Sequence, residues 1–473
     1  MRSALVVFLM LAVVALAAPV RAQRTGTTIF AVDAIFAPWD EPGSPGCALG
    51  VVEDGELTYE RGYGFANLDW GIPIATDTVF YVGSVSKQFT AAAVALLTQE
   101  GVINLGDDIR EYFPEMPVYE RAITVRHLVH HTSGLRDIYT LMSLAGIRLE
   151  DVFTDEQAIE LIAAQRETNF GPGSEYLYSN SGYFLLAQLV ERVSGKTLRE
   201  FAEERIFTPL GMKDTHFHDR PDHIVKRRAI SYQDGMVDDR AEFRVSYLGN
   251  FDKVGAGGLY TTVKDLLLWD RNFYTGDVGG EAFLDLIHTR GVLNDGSQLT
   301  YAFGLTVDEY RGLKTVSHAG SMMGFKAAYL QFPGQRFSVI ATCNLGPINP
   351  MPLAQRVADV YLEDWLAEAV PSRTPVRRGN TPAVSRPFSG DELVALVGTY
   401  YSDELDVTYE LTTETNQLWL CLRNTPPRLL RKFEDGEARA GTWQFAFEYD
   451  AGGMASDFTI NAGRVTNIRF ERR

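Results

Sequence analysis

Only three cysteines occur in 473 residues, Cys47, Cys343 and Cys421, and none lies in a Cys-x-x-Cys or histidine-rich setting. An odd number excludes a complete disulfide framework, and a chain this long needs none to fold. No metal site is indicated from these thiols. Basic charge is also scarce: 44 Lys and Arg against 61 Asp and Glu leave a net charge of −17. Binding to a phosphate backbone needs a basic footprint, so no nucleic-acid partner is expected. A long apolar run is missing too. Ala4 to Ala18 is too short for a comfortable membrane span and gives way to Pro19 and polar residues. With Met1-Arg2-Ser3 before it and Val20-Arg21-Ala22 after it, the stretch reads as a secretory signal over residues 1–22. The expected mature protein, from about Gln23, is then secreted or periplasmic, with no membrane span after cleavage. No cysteine stands at the cleavage site, so a lipid anchor is not indicated.

What remains is the composition of ordinary globular protein, 45% apolar and 22% charged, long enough for two domains. The stretch around which the chain is organised is Phe80 to Thr90. A short apolar run, Val79 to Val82, ends at Gly83, and Ser84 then opens an Ala-rich apolar segment that reads as a buried helix closed by Gly101. Ser84 thus starts the helix, and Lys87 follows one turn later on the same face. N–H groups at a helix start stabilise an alkoxide or oxyanion, and a desolvated lysine is a neutral amine able to take the hydroxyl proton. Ser-x-x-Lys alone arises often by chance, so further motifs must carry the reading.

Upstream, Cys47 to Tyr59 alternates around Asp54-Gly55, a hairpin signal. Downstream, Thr124 is placed to cap a short helix that Gly134 ends. His130 and His131 lack a suitably spaced carboxylate or third ligand, so they read as loop-holding histidines. A glycine- and proline-punctuated loop, Gly171 to Gly182, runs into a helix over Tyr183 to Val193. Within it Tyr178 offers a phenol for proton relay, and Asn180 offers a donor and an acceptor to a substrate amide. On that segment alone an ordinary aromatic turn is the simpler reading. Leu313 to Ser321 reads as a strand, followed by strands Phe325 to Phe332 and Arg336 to Asn344. On the first of these, His318 could supply a hydrogen bond or a pH-dependent charge, and Gly320 would let a substrate backbone lie close.

In order, Ser84-x-x-Lys87, Tyr178-Ser179-Asn180 and His318-Ala319-Gly320 resemble the motifs of the serine β-lactamase and penicillin-binding-protein superfamily. The resemblance is to its class C-like branch, which includes esterases and D-aminopeptidases. It covers roughly Thr27 to Ala369, with His131 to Leu135, Pro209 to Met212 and Gly255 to Leu259 as further hallmarks. It implies an α/β domain over residues 23–370. The expected antiparallel sheet comes from the first hairpin and the last three strands, and a helical region is inserted between. It also implies that Cys47 and Cys343, at neighbouring strand ends, approach and pair in an oxidising compartment.

By the same resemblance Ser84 is the nucleophile, the Lys87–Tyr178 pair takes its proton, and the N–H groups of Ser84 and Ser321 hold the oxyanion. Asn180, His318 and Gly320 line the substrate site, and no cofactor or metal is implied. Which of Lys87 and Tyr178 is the base stays open, because close groups titrate together. The sequence departs from the family at His318-Ala319, where Lys-Thr is common. A histidine is mostly neutral at pH 7, so recognition of a β-lactam carboxylate weakens and esters or amino-acid amides gain as substrates. The alternatives are a β-lactamase or DD-peptidase and a slowly deacylating penicillin-binding sensor. His216, His218 and His223 resemble a metal cluster superficially, but they follow a segment the family scaffold already explains.

Residues 371–390 are polar and proline-rich, a linker. From 391 to 473, seven short alternating strands with Gly-, Asp- and Asn-rich turns suit a small antiparallel barrel, and Gly398 to Tyr401 resembles the start of a lipocalin-like domain. So small a barrel fills with its own side chains. A small-molecule or peptide substrate is expected; the oligomeric state is not readable.

Overall fold

The computed structural model describes residues 26–237, 240–246, 249–368, 385–433 and 437–473. The expected signal segment and most of the expected linker lie outside them. Asp54 and Gly55 both take positive φ, 52° and 78°, the conformation a two-residue hairpin turn demands. They join strand β1 (Cys47–Glu53) to β2 (Glu56–Tyr63). The chain returns to this sheet much later with β3 (Thr306–Tyr310), β4 (Leu313–Met322), β5 (Phe325–Phe332) and β6 (Phe337–Cys343). The order is β3-β4-β5-β6-β1-β2, antiparallel at every pairing. The sequence expectation is five strands. The sixth, β3, is a half-exposed edge strand whose polar residues give a weak apolar signal.

Cys47 stands opposite Cys343 in the β1–β6 register and is disulfide-bonded to it. The helices around the sheet and in the inserted region include α1 (Gly26–Phe36), α2 (Lys87–Gln99), α3 (Ile138–Leu144), α4 (Asn180–Ser194), α5 (Val263–Thr275) and α6 (Pro350–Tyr361). Strand β1 is buried on both faces. Leu49 and Val51 share a core with residues of α1 and α6. Ala48 and Val52 share one with α2 and α5. Helix-covered faces explain why β1 reads as a continuous apolar run rather than a strict alternation. Helix α2 begins at Lys87, because Gly83–Ser86 form a 3₁₀ turn; Ser84 therefore sits in the turn before the helix. Thr124 does cap a helix, Val125–Val129, but that helix stops at His130 and not at Gly134.

At the C-terminal end lies a closed antiparallel barrel. It contains β7 (Gly398–Ser402), β8 (Val407–Glu414), β9 (Gln417–Leu422), β10 (Arg428–Phe433), β11 (Ala438–Ala440), β12 (Trp443–Tyr449), β13 (Ala455–Ala462) and β14 (Val465–Arg472). The order β10-β9-β8-β7-β14-β13-β12-β11 closes through β10–β11 pairing. The eighth strand is β11, three residues without a branched side chain and so without a strand signal. The far end of the expected linker is built into the barrel unit. Ser385–Arg386 pair with β10, and Ser389 forms a capping box with Glu392 at helix α7 (Gly390–Leu396).

The barrel interior is packed by its own side chains together with Leu141 and Leu144 of α3, and the Tyr409 hydroxyl donates to the Leu144 carbonyl at 2.6 Å. Beside this plug, buried Arg136 pairs with Glu404 at 2.8 Å and donates to the Asn467 carbonyl at 3.1 Å. Truncating one partner leaves the other charge buried alone. Arg136→Ala is expected to cost about 3–5 kcal/mol in denaturant unfolding; a loss under about 1 kcal/mol would show that the pair holds nothing.

Candidate active site

The position of Ser84 follows from two glycines. Gly83 has φ +53°, and a Cβ on it would stand 2.5 Å from the Ser321 nitrogen. A Cβ on Gly320 would stand 1.9 Å from the Val82 carbonyl oxygen and 3.0 Å from the Ser84 nitrogen. The Ser84 turn therefore lies directly on β4, bringing the amides of Ser84 and Ser321 to the same place. The missing side chain of Gly320 thus admits the chain's own backbone at Val82, and Gly320 also lines the cleft.

Lys87 is fully buried in the first turn of α2. Its amino group lies 3.2 Å from Ser84 Oγ, 3.0 Å from Asn180 Oδ1 and 2.6 Å from the Ala256 carbonyl. The rings of Tyr178 and Tyr183 cover it, with centroids at 4.7 and 5.5 Å. Burial pushes its pKa well below the ordinary lysine value; nearby Asp137 opposes the shift and Arg464 adds to it. Lys87 is thus poised as a neutral amine beside the hydroxyl. Tyr178 is half-buried, and its hydroxyl, itself shielded from water, makes no hydrogen bond of good geometry. Burial raises its pKa, while the closeness of Ser84 and the charge of Arg464 pull it down.

Asn180 opens α4, and both ends of its carboxamide are engaged by the protein. Oδ1 faces Lys87, and Nδ2 donates to Asp137 Oδ2 at 2.8 Å. It therefore holds the lysine as well as lining the cleft. His318 is 7% exposed and receives the Tyr301 hydroxyl at Nε2, 3.0 Å away, while Nδ1 donates to the Ala319 carbonyl at 2.7 Å. Burial, then Lys87, pushes its pKa down to about 3. The expected pH-dependent charge is therefore absent near neutrality, and His318 is a fixed neutral group.

His131, read as loop-holding, accepts the Ser179 N–H at 3.1 Å and stacks 4.2 Å from Tyr178. His130 lies between the carbonyls of Arg126 and Thr289. His216, His218 and His223 pack ring to ring beside Tyr260. Among the described residues no group of three or more His, Cys, Asp or Glu is placed to hold a metal ion, and no helix is long and apolar enough to cross a membrane.

Ser84, Tyr178, Asn180, His318, Gly320 and Ser321 all line one cleft of about 900 Å³. The sequence reading leaves out four contributors. Asp137 caps α3 and accepts the Asn180 N–H at 2.8 Å; its cap position just after Gly134-Leu135-Arg136 was a usable signal. Tyr301 holds His318. Lys326, opposite Ser321 in the β4–β5 register, donates to Ser321 Oγ at 2.6 Å. Arg464 enters from the barrel, and nothing in the sequence places it there.

A serine on a 3₁₀ turn, a buried lysine and an antiparallel sheet flanked by helices are the arrangement of the serine β-lactamase and penicillin-binding-protein class. The Beta-lactamase family model matches residues 32–361, and the chain belongs to that family. It is 32% identical over 300 residues to a D-aminopeptidase of Brucella anthropi, an alignment covering 63% of this chain and 56% of that one. The chain thus spans just over half the length of that relative. An octameric penicillin-binding protein homologue from Pyrococcus abyssi has a similar fold, with TM-score 0.62 at 20% identity over 94% of this chain and 99% of that one. D-amino acid amidase from Ochrobactrum anthropi SV3 gives 0.61 at 22% identity over 72% and 99%.

His130, His131 and His318 are all buried and neutral, with His130 held down to about 4 and His318 to about 3 by burial. Unfolded histidines protonate near pH 6.5, so the unfolded state binds more protons below that pH. Stability is expected to be full above about pH 6.5 and to fall as the pH drops toward 4. Each histidine then loses up to about 1.4 kcal/mol per pH unit. Urea unfolding that gives the same stability at pH 7 and pH 5 would contradict this.

Proposed function

We propose that this chain is a serine hydrolase that cleaves an ester or amide, such as a small ester or a D-amino-acid or peptide amide, through a Ser84 acyl-enzyme. The observation that carries the reading is the buried Lys87 amine 3.2 Å from Ser84 Oγ. Ser84 Oγ attacks the acyl carbon, and its proton passes to the Lys87–Tyr178 pair. The carbonyl electrons move to an oxyanion facing the amides of Ser84 and Ser321. Collapse breaks the bond to the leaving group, which takes a proton from the pair. Water, activated by the same pair, then releases the acid. The D-aminopeptidase relatives support the amide reading. A second reading, a peptidase acting on carboxylate-ended peptides, is favoured by Lys326 and Arg464, since no Asp or Glu lines the cleft with them.

Intact-protein mass spectrometry with a short-chain ester, a D-amino-acid amide and a cephalosporin, one at a time, tests this. A transient adduct is expected on wild type and none on Ser84→Ala, with turnover falling about 10⁴-fold or more. Because His318 is neutral, cephalosporin kcat/KM is expected to stay below about 10⁶ M⁻¹s⁻¹. Near-wild-type turnover by Ser84→Ala would end the proposal, and a persistent adduct would turn it toward a sensor.

We also propose that the protein is exported. The charged, apolar and small-residue pattern over 1–22 supports this, as does the Cys47–Cys343 disulfide, which persists in oxidising compartments. Non-reduced peptide mapping of protein from its native host is expected to find the two joined; two free thiols would overturn it.

A further inference from the structure

The turn joining β13 to β14 carries Arg464 out of the barrel and onto the catalytic cleft. This contact is built by several bonds. The Arg464 carbonyl accepts from Asn169 Nδ2 at 2.9 Å and from the Asp137 N–H at 3.4 Å. Thr466 donates to Asn169 Oδ1 from its N–H and its hydroxyl, at 2.9 and 3.0 Å. So anchored, the guanidinium carbon lies 4.8 Å from the Tyr178 ring centroid, and Nη1 lies 3.5 Å from Asp137 Oδ2.

We propose that Arg464 is a positioning residue of the active site, a cation lent by the barrel that offsets Asp137 behind Asn180 and favours the proton-free form of the Lys87–Tyr178 pair. The proposal rests on the hydrolase reading above. Asp137 is 2% exposed at its side chain and is the negative charge that favours a protonated Lys87. A buried carboxylate one residue behind the general base works against catalysis unless a cation balances it. Arg464 is that cation, and it also favours phenolate on Tyr178. The other titratable groups facing the pair are His131, His318, Tyr139, Tyr176, Tyr183 and Tyr301. The two histidines are held neutral, and the four phenols, whose pKa values all lie above the ordinary tyrosine value, stay protonated. Asp137 and Arg464 therefore set the local field. Lys326 lies beyond Ser321, on the far strand.

The test is the pH dependence of kcat/KM for hydrolysis of a p-nitrophenyl ester by the full chain. Arg464→Met keeps an apolar stem over Tyr178 without charge, and Arg464→Lys keeps the charge. In Arg464→Met the acid limb is expected to move up by roughly half a unit to one unit. Arg464→Lys should return most of that shift. Raising the salt concentration should move the wild-type limb the same way, because the guanidinium is 43% exposed, while leaving Arg464→Met nearly unmoved. A folded Arg464→Met whose limb coincides with wild type would overturn the proposal. So would a lysine variant as impaired as the methionine one with no shift in either. If Arg464→Met does not fold, a wild-type limb independent of salt overturns it instead. Ester turnover that survives in Ser84→Ala would sink the hydrolase reading itself, whereas Ser84-dependent turnover with an unmoved limb sinks only the role of Arg464.

Discussion

A lysine amine with no exposure to water is the constraint on which the rest of the site depends. An ammonium there loses its hydration, and only part of that loss is recovered from three neighbouring oxygens. The neutral form is favoured, and a neutral amine beside a hydroxyl is a base. The surroundings are consistent with this. Helix α2 is Ala-rich from its second turn, which lets neighbouring elements pack close against it, and two phenol rings shield the nitrogen. Asp137 is kept one residue away, acting through Asn180 rather than pairing with the lysine directly.

The same desolvation reaches the second ring of residues. His131 and His318 are neutral because both are buried beside Lys87. Each works as a hydrogen-bonding strut, one holding the Ser179 amide and the other the Tyr301 hydroxyl. The fixed positive charge that the family often places on β4 is replaced by a neutral ring. The cleft's cations stand instead on β5 and on the barrel.

The single strands, the helix behind Ser84 and the barrel class were readable because periodicity and turn chemistry are local, whereas the sheet that joins the first hairpin to the later strands was implied by the family resemblance. Asp54-Gly55 announced its hairpin, and the apolar runs of β5 and β6 announced buried strands. The misses share a cause. Strand β3 is polar and β11 is three residues long, so both exist only because a sheet edge or a barrel seam needs them. The contact of Gly320 with Val82 was not readable, because the two lie more than 200 positions apart in the chain. Arg464 was invisible for the same reason, since its neighbours Asp137 and Tyr178 belong to another domain. Local pattern names an element but does not name what packs against it.

The β1–β6 pairing also governs how the protein can be made. Cys47 and Cys343 are 296 positions apart, yet their strands lie side by side in the middle of the sheet. At roughly 5–20 residues per second, the first hairpin leaves the ribosome roughly 15–60 s before its central neighbour. During that interval β1, apolar on both faces, has one edge open. A nascent chain of this design depends on something else to keep that edge from the wrong partner, and its catalytic sheet is completed only once Cys343 has emerged.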